Sequence, residues 1–187
     1  MCYNDPDDMK CPIIIAIAII AATTATLRSY CETPWQISET VDEMSDEISY
    51  LVHSTGSVVR FDDYMSYNPA LVVKVTPKGI TETGGLQYVG DVYLSIETDG
   101  LKRGQCEIMT RFNREKPTVE LWNTSTDRRA AFSPNWKRTL SKLSASTNLI
   151  VRYETTLGHI RTATFDVTHL TNSLKQVKSR YLTQVKK

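Results

Sequence analysis

The sequence predicts a mainly β protein: an antiparallel β-sandwich with a short covering helix and a C-terminal amphipathic helix. Three observations predict it. Apolar and polar side chains alternate along many short segments, the period-two mark of half-buried strands. Turn residues punctuate those segments at close intervals. Only two stretches show helical spacing, so strands do not alternate with helices as a parallel α/β sheet requires.

The first element lies ahead of the fold. Residues 13–22 carry no polar side chain, and Thr23, Thr24 and Thr26 dilute the run before Arg28. A spanning helix wants roughly 20 apolar residues and an export signal roughly 7 to 15, so the length fits the signal better. Met9-Lys10 supplies a minimal positive flank, and Thr23-Thr24-Ala25 offers small residues for cleavage after Ala25. Asp5, Asp7 and Asp8 oppose the usual charge bias, which points to Met9 as the start of the signal. The expected division is an export signal over 1–25 and one β-sandwich domain over 26–187, giving a periplasmic or secreted protein. An uncleaved inner-membrane anchor over 12–27 is the alternative. A lipid anchor at Cys31 fits poorly, because Arg28, Ser29 and Tyr30 precede it.

The strands follow in order: 48–52, 58–61, 71–75, 91–97, 106–112, 119–121, 149–154 and 159–167. In the fourth, Val92, Leu94 and Ile96 share a face; in the fifth, Cys106, Ile108, Thr110 and Phe112 do. Val119 and Leu121 lie together with Trp122 opposite, and Ala163, Phe165 and Val167 lie together. Ser54-Thr55-Gly56, Asn68-Pro69, Thr83-Gly84-Gly85, Asp99-Gly100 and Leu157-Gly158 are the turn signals. Trp35 reads as a large anchor at the start of the fold, Phe112, Phe132 and Phe165 as inward aromatics, and Arg111 and Asp166 as an ion pair closing one edge. Tyr50, Tyr64, Tyr67, Tyr88, Tyr93 and Trp122 offer rings for sugar stacking, although cross-strand packing is their default.

Ser133-Pro134 reads as a helix cap with proline in the first turn, followed by Trp136, Leu140 and Leu143 at helical spacing. A second helix over 169–187 follows Thr168 as its cap. Leu170, Leu174, Val177, Tyr181 and Val185 form its apolar stripe, and no acid follows Asp166. The stripe suits packing on the sheet; a basic amphipathic helix also suits contact with an anionic membrane surface.

The net charge of +1 hides an asymmetry. Residues 1–66 hold 11 acids and 3 bases, against 10 and 19 over 67–187. Such a separation joins two parts of one fold or offers a basic face to an anionic partner. Two cysteines follow the export signal, Cys31 and Cys106. In an oxidising compartment they read as a disulfide, with two unpaired thiols as the alternative. No spacing of His53, His159 and His169 suits a metal pair, and no nucleophile motif occurs. Asp42, Glu43, Asp46 and Glu47 lack the turn glycine of a calcium loop and read as solvated charges. No catalytic or metal residue and no cofactor is therefore expected.

The order Trp35-Gln36-Ile37, Asp42-Glu43-Met44-Ser45-Asp46, Arg111-Phe112-Asn113, Leu121-Trp122, Ala131-Phe132, a short helix, Ile150-Val151-Arg152-Tyr153 and Ala163-Thr164-Phe165-Asp166 resembles exported bacterial β-domain proteins, among them the VasI/TagO-like accessory proteins of type VI secretion and, more distantly, the invasion-associated locus B proteins. Asn113 stands where that group often has aspartate. The resemblance implies a periplasmic, non-enzymatic domain that binds or recruits an envelope partner; the expected role is accessory to a secretion system or an envelope exclusion function. The expected partner is an envelope protein or a cell-wall polymer, with no nucleic acid. An envelope hydrolase or lipid-modifying enzyme with an unrecognised carboxylate site is the alternative.

Overall fold

Two hydrophobic patterns, strand and helix, build one antiparallel sheet wrapped on a shared core. The computed structural model describes residues 34–58, 68–96 and 99–185. The expected export signal, Cys31, Tyr64, Tyr67 and most of the expected 58–61 strand lie outside them. The described strands are β1 (Gln36–Val41), β2 (Ile48–Thr55), β3 (Ser57–Val58), β4 (Ala70–Ile80), β5 (Leu86–Ser95), β6 (Gln105–Phe112), β7 (Thr118–Thr124), β8 (Ala130–Phe132), β9 (Asn148–Glu154) and β10 (Ile160–Asp166). Helix α1 (Trp136–Ser144) sits between β8 and β9, and α2 (Leu170–Val185) follows β10.

The expected strand-rich antiparallel fold with two helices is what forms. It is built from one continuous sheet, in the order β1-β2-β4-β5-β8-β7-β6-β9-β10-β3. That order brings the two ends of the sheet together, because β3 follows β2 after Gly56 alone yet pairs with β10. The Ser54 hydroxyl donates to the Asp166 carbonyl at 3.4 Å across this seam. Residues 54–56, expected as a turn, are thus a strand that changes partners. Gly56 is required by contact: a Cβ there would lie 2.6 Å from the Phe165 ring.

Alternation decides which side chains face inward. Tyr50, Val52, Leu71, Val73, Val75, Val92, Leu94, Ile108, Phe112, Trp122, Leu149, Val151, Ala163 and Phe165 are all buried in one core. Parity put Trp122 opposite Val119 and Leu121, and it is Trp122 that is buried while the other two are exposed. Phe132 departs from expectation. In β8 it is Ala131 that enters the core, and Phe132 turns outward onto Tyr93, its cross-strand partner, with ring centroids 5.0 Å apart.

The helices close the core from one side. Their caps differ from expectation: α1 begins after Asn135, whose side-chain oxygen accepts from Arg138 N at 3.2 Å, while Ser133 bonds the Thr139 hydroxyl below it. Before α2, Asp166 accepts from the Thr168 amide at 2.9 Å and its hydroxyl at 2.6 Å, and His169 takes a left-handed φ of 64°. On α2, Leu170 and Val177 are buried and Leu174 and Tyr181 pack on the core. The apolar stripe considered for a membrane surface is therefore occupied by the protein's own sheet, apart from exposed Val185. Among the described residues no helix is long and apolar enough to cross a membrane.

Candidate functional site

A groove opens where three separate elements meet. The β4–β5 hairpin turns through Thr81 to Gly85, held by Thr81 N to Gly85 O at 2.8 Å, and sends Leu86, Gln87 and Tyr88 along the first turn-proximal stretch of β5. Helix α1 contributes Trp136, Lys137, Leu140, Ser141 and Ser144, and α2 contributes Leu174. Together these side chains enclose about 450 Å³. That volume falls in the range of small-ligand and peptide-anchor sites, roughly 300 to 1,000 Å³.

The groove has an aliphatic floor and a polar rim. Leu140 is buried; Leu86 and Leu174 are half-buried. The Tyr88 and Trp136 ring centroids stand 5.9 Å apart with their planes tilted by 46°, within the range of favourable aromatic pairs. The Lys137 ammonium lies over the Trp136 ring, 5.6 Å from its centroid. Burial pushes the Tyr88 hydroxyl above the ordinary phenol range, so it stays protonated and able to donate. Lys178, one turn beyond Leu174, donates to the Gly84 carbonyl and ties α2 to the hairpin. No carboxylate is among the lining residues.

Two other regions carry chemistry but less space. Asp99 Oδ2 meets Arg161 at 3.3 Å and His159 Nδ1 at 3.9 Å, beside Tyr153, whose hydroxyl burial pushes up to about 12 against the pull of Arg161. On the outer sheet face, Glu107, Met109, Val119, Arg152, Tyr153, Glu154 and Ile160 enclose about 150 Å³. The acidic run forms the β1–β2 turn. Asp42 accepts from Met44 N at 2.9 Å and Ser45 N at 3.0 Å, which holds its carboxyl below the usual range, and Glu47 pairs with Lys78. Among the described residues no three His, Cys, Asp or Glu side chains assemble for a metal.

The residues singled out from sequence support the fold. Trp35 is buried and its indole N–H donates to the Thr168 carbonyl at 2.9 Å, joining the start of the domain to α2. Trp122 is buried opposite Cys106, and Lys142 sits 5.2 Å from the Phe112 ring centroid. Arg111 and Asp166 do not pair. They lie two strands apart, Arg111 opposite Ile150 on β9 and Asp166 opposite Asn148, with the Asp166 carboxylate used by Thr168. Cys106 is a free, buried thiol, pushed by burial to about 11, so the expected bridge from Cys31 is not seen at this end. None of these side chains lines the groove. Trp136, Leu140, Leu174 and Tyr88 were visible in the sequence as stripe or ring residues; Leu86, Gln87, Lys137, Ser141 and Ser144 carried no signal, because only the tertiary fold collects them. Comparison with protein-family models, with curated proteins and with solved structures finds no match to this chain.

Proposed function

We propose that this protein is an exported, non-enzymatic binding domain that recruits an envelope partner through the groove between the β4–β5 hairpin, α1 and α2. One observation carries the reading: the groove joins an aliphatic floor to a tilted Tyr88–Trp136 pair and a lysine, and its lining holds no carboxylate, histidine or cysteine. Hydrolysis or acyl transfer asks for a nucleophile, a base and an orienting group within hydrogen-bond reach. The lining offers the hydroxyls of Tyr88, Ser141 and Ser144, with no carboxylate or imidazole to activate them. Export rests on the apolar run after Met9, and the resemblance to type VI secretion accessory proteins suits an adaptor at the envelope.

The test places a photocrosslinking residue at exposed Ser141 and, separately, at exposed Leu121 on the outer sheet face. The full chain is expressed with its own leader in a bacterial host. An adduct in the envelope fraction from position 141 that is absent from position 121 supports the reading. A cytosolic chain without adducts, or adducts from position 121 alone, overturns it.

A further inference from the structure

We infer that the groove takes a short acidic peptide segment of a partner protein, with an apolar anchor residue seated on Leu86, Leu140 and Leu174. The inference rests on the binding-domain reading and names the ligand class. Charge is its first ground. Neither α1 nor α2 contains an Asp or Glu; of their cations Arg138 and Lys142 line a separate cavity beside Glu120, with Lys142 4.0 Å from Glu115, which leaves Lys137 and Lys178 for the groove. Lys137 is in the lining itself and Lys178 stands at the hairpin end. An anionic segment laid across the groove meets cations from both walls, which steers association and sets orientation.

The second ground separates a peptide from an anionic glycan. A sugar ring needs an open aromatic face, and the Trp136 face has the Lys137 ammonium over it. Vicinal hydroxyls are held by paired carboxylate or amide acceptors, and the lining offers one amide, Gln87. What the groove does offer is an aliphatic floor able to accept one Leu- or Phe-sized side chain, with Gln87, Ser141 and Ser144 left to bond a peptide backbone. Burying such an anchor supplies the non-directional part of affinity, while Lys137 reads the flanking carboxylate.

The probe is a blocked peptide, acetyl-Glu-Asp-Phe-Glu-Asp-amide, titrated into the full chain at low salt while tryptophan emission is followed. Trp35 and Trp122 are 4% and 1% exposed, so a change in emission reports Trp136. The expected result is saturable binding that weakens with added salt and falls about tenfold in Lys137→Glu and about tenfold for the peptide with Gln and Asn replacing the acids. Lys137 is exposed, and an unchanged melting temperature shows that its variant is folded. Equal binding of the neutral peptide, or no saturable change, overturns the acidic-peptide assignment. An emission change with oligogalacturonate but not with the peptide also overturns it, yet leaves the groove a binding site. Failure of the Ser141 crosslink removes both.

Discussion

A side chain on Gly56 and the ring of Phe165 cannot occupy the same space: the nearest ring carbon is 2.6 Å from where a Cβ would stand, and a second is at 2.8 Å. This contact is where the two ends of the sheet meet. Gly56→Ala therefore forces Phe165 out of its place and costs about 2 to 3 kcal/mol, the range for overpacking a tight core. Phe165→Leu in the same chain relieves the clash, so the double variant is more stable than the sum of the two singles. Urea midpoints of the four proteins check this, and strict additivity would count against it.

Trp35 ties the first described residues to the last helix. Trp35→Ala is expected to cost about 3 to 5 kcal/mol, as for other buried large-to-small changes. Trp35→Phe keeps most of the apolar surface but removes the N–H that bonds the Thr168 carbonyl, and costs about 1 to 3 kcal/mol. Thermal melts rank the three; an unchanged melting temperature for Trp35→Ala would refute the anchor role.

Asn113 staples two loops. At a left-handed φ of 49°, its side-chain oxygen accepts from Thr147 N at 2.9 Å, from Thr147 Oγ1 at 3.2 Å and from Asn148 N at 3.2 Å. Asn and Asp tolerate that backbone better than other non-glycine residues. Asn113→Ala loses the acceptor and is strained, at about 2 kcal/mol, whereas Asn113→Asp preserves every contact. Equal destabilisation by both would show that the side-chain oxygen is irrelevant.

Burial raises the Cys106 thiol from 9.0 to about 11. Between those values the unfolded chain gives up a proton that the folded chain keeps. The stability this confers is complete below pH 9 and is lost as pH rises toward 11, at up to about 1.4 kcal/mol per pH unit. Cys106→Ala removes the dependence, so its urea midpoint falls less steeply with pH than that of the parent across this window. Parallel slopes would sink the prediction. The thiol also resists alkylation at neutral pH until the chain is unfolded.

The strands legible from sequence were those in which strong alternation survives burial. Val92, Leu94 and Ile96, or Ala163 and Phe165, face the core and their neighbours face water. β1 was missed because it is nearly all exposed: of Gln36 to Val41 only Ile37 is half-buried, so no apolar period marks it. β8, at three residues, is too short to show one. Gly56 carries the same letter whether a chain turns or passes under a ring, and only the Phe165 contact tells them apart. The cap at Asn135 was read two residues early because Ser133-Pro134 has the expected composition, while the Ser133 hydroxyl is committed to Thr139. The groove was hardest to foresee, since Tyr88, Trp136 and Leu174 are far apart in the chain and converge only through the fold.

The seam at Gly56 also governs when this protein can finish folding. Ser57 bonds Thr164 across 107 residues, and Tyr50 donates to Gln184 across 134. Long loops must close before those contacts give any return: β1, β2 and β4 pair with one another locally, whereas β3 waits for β10 and the Tyr50 hydroxyl waits for α2. The β3–β10 seam therefore stays open until the last strand is in place. Closure of that seam is then a late step set by topology.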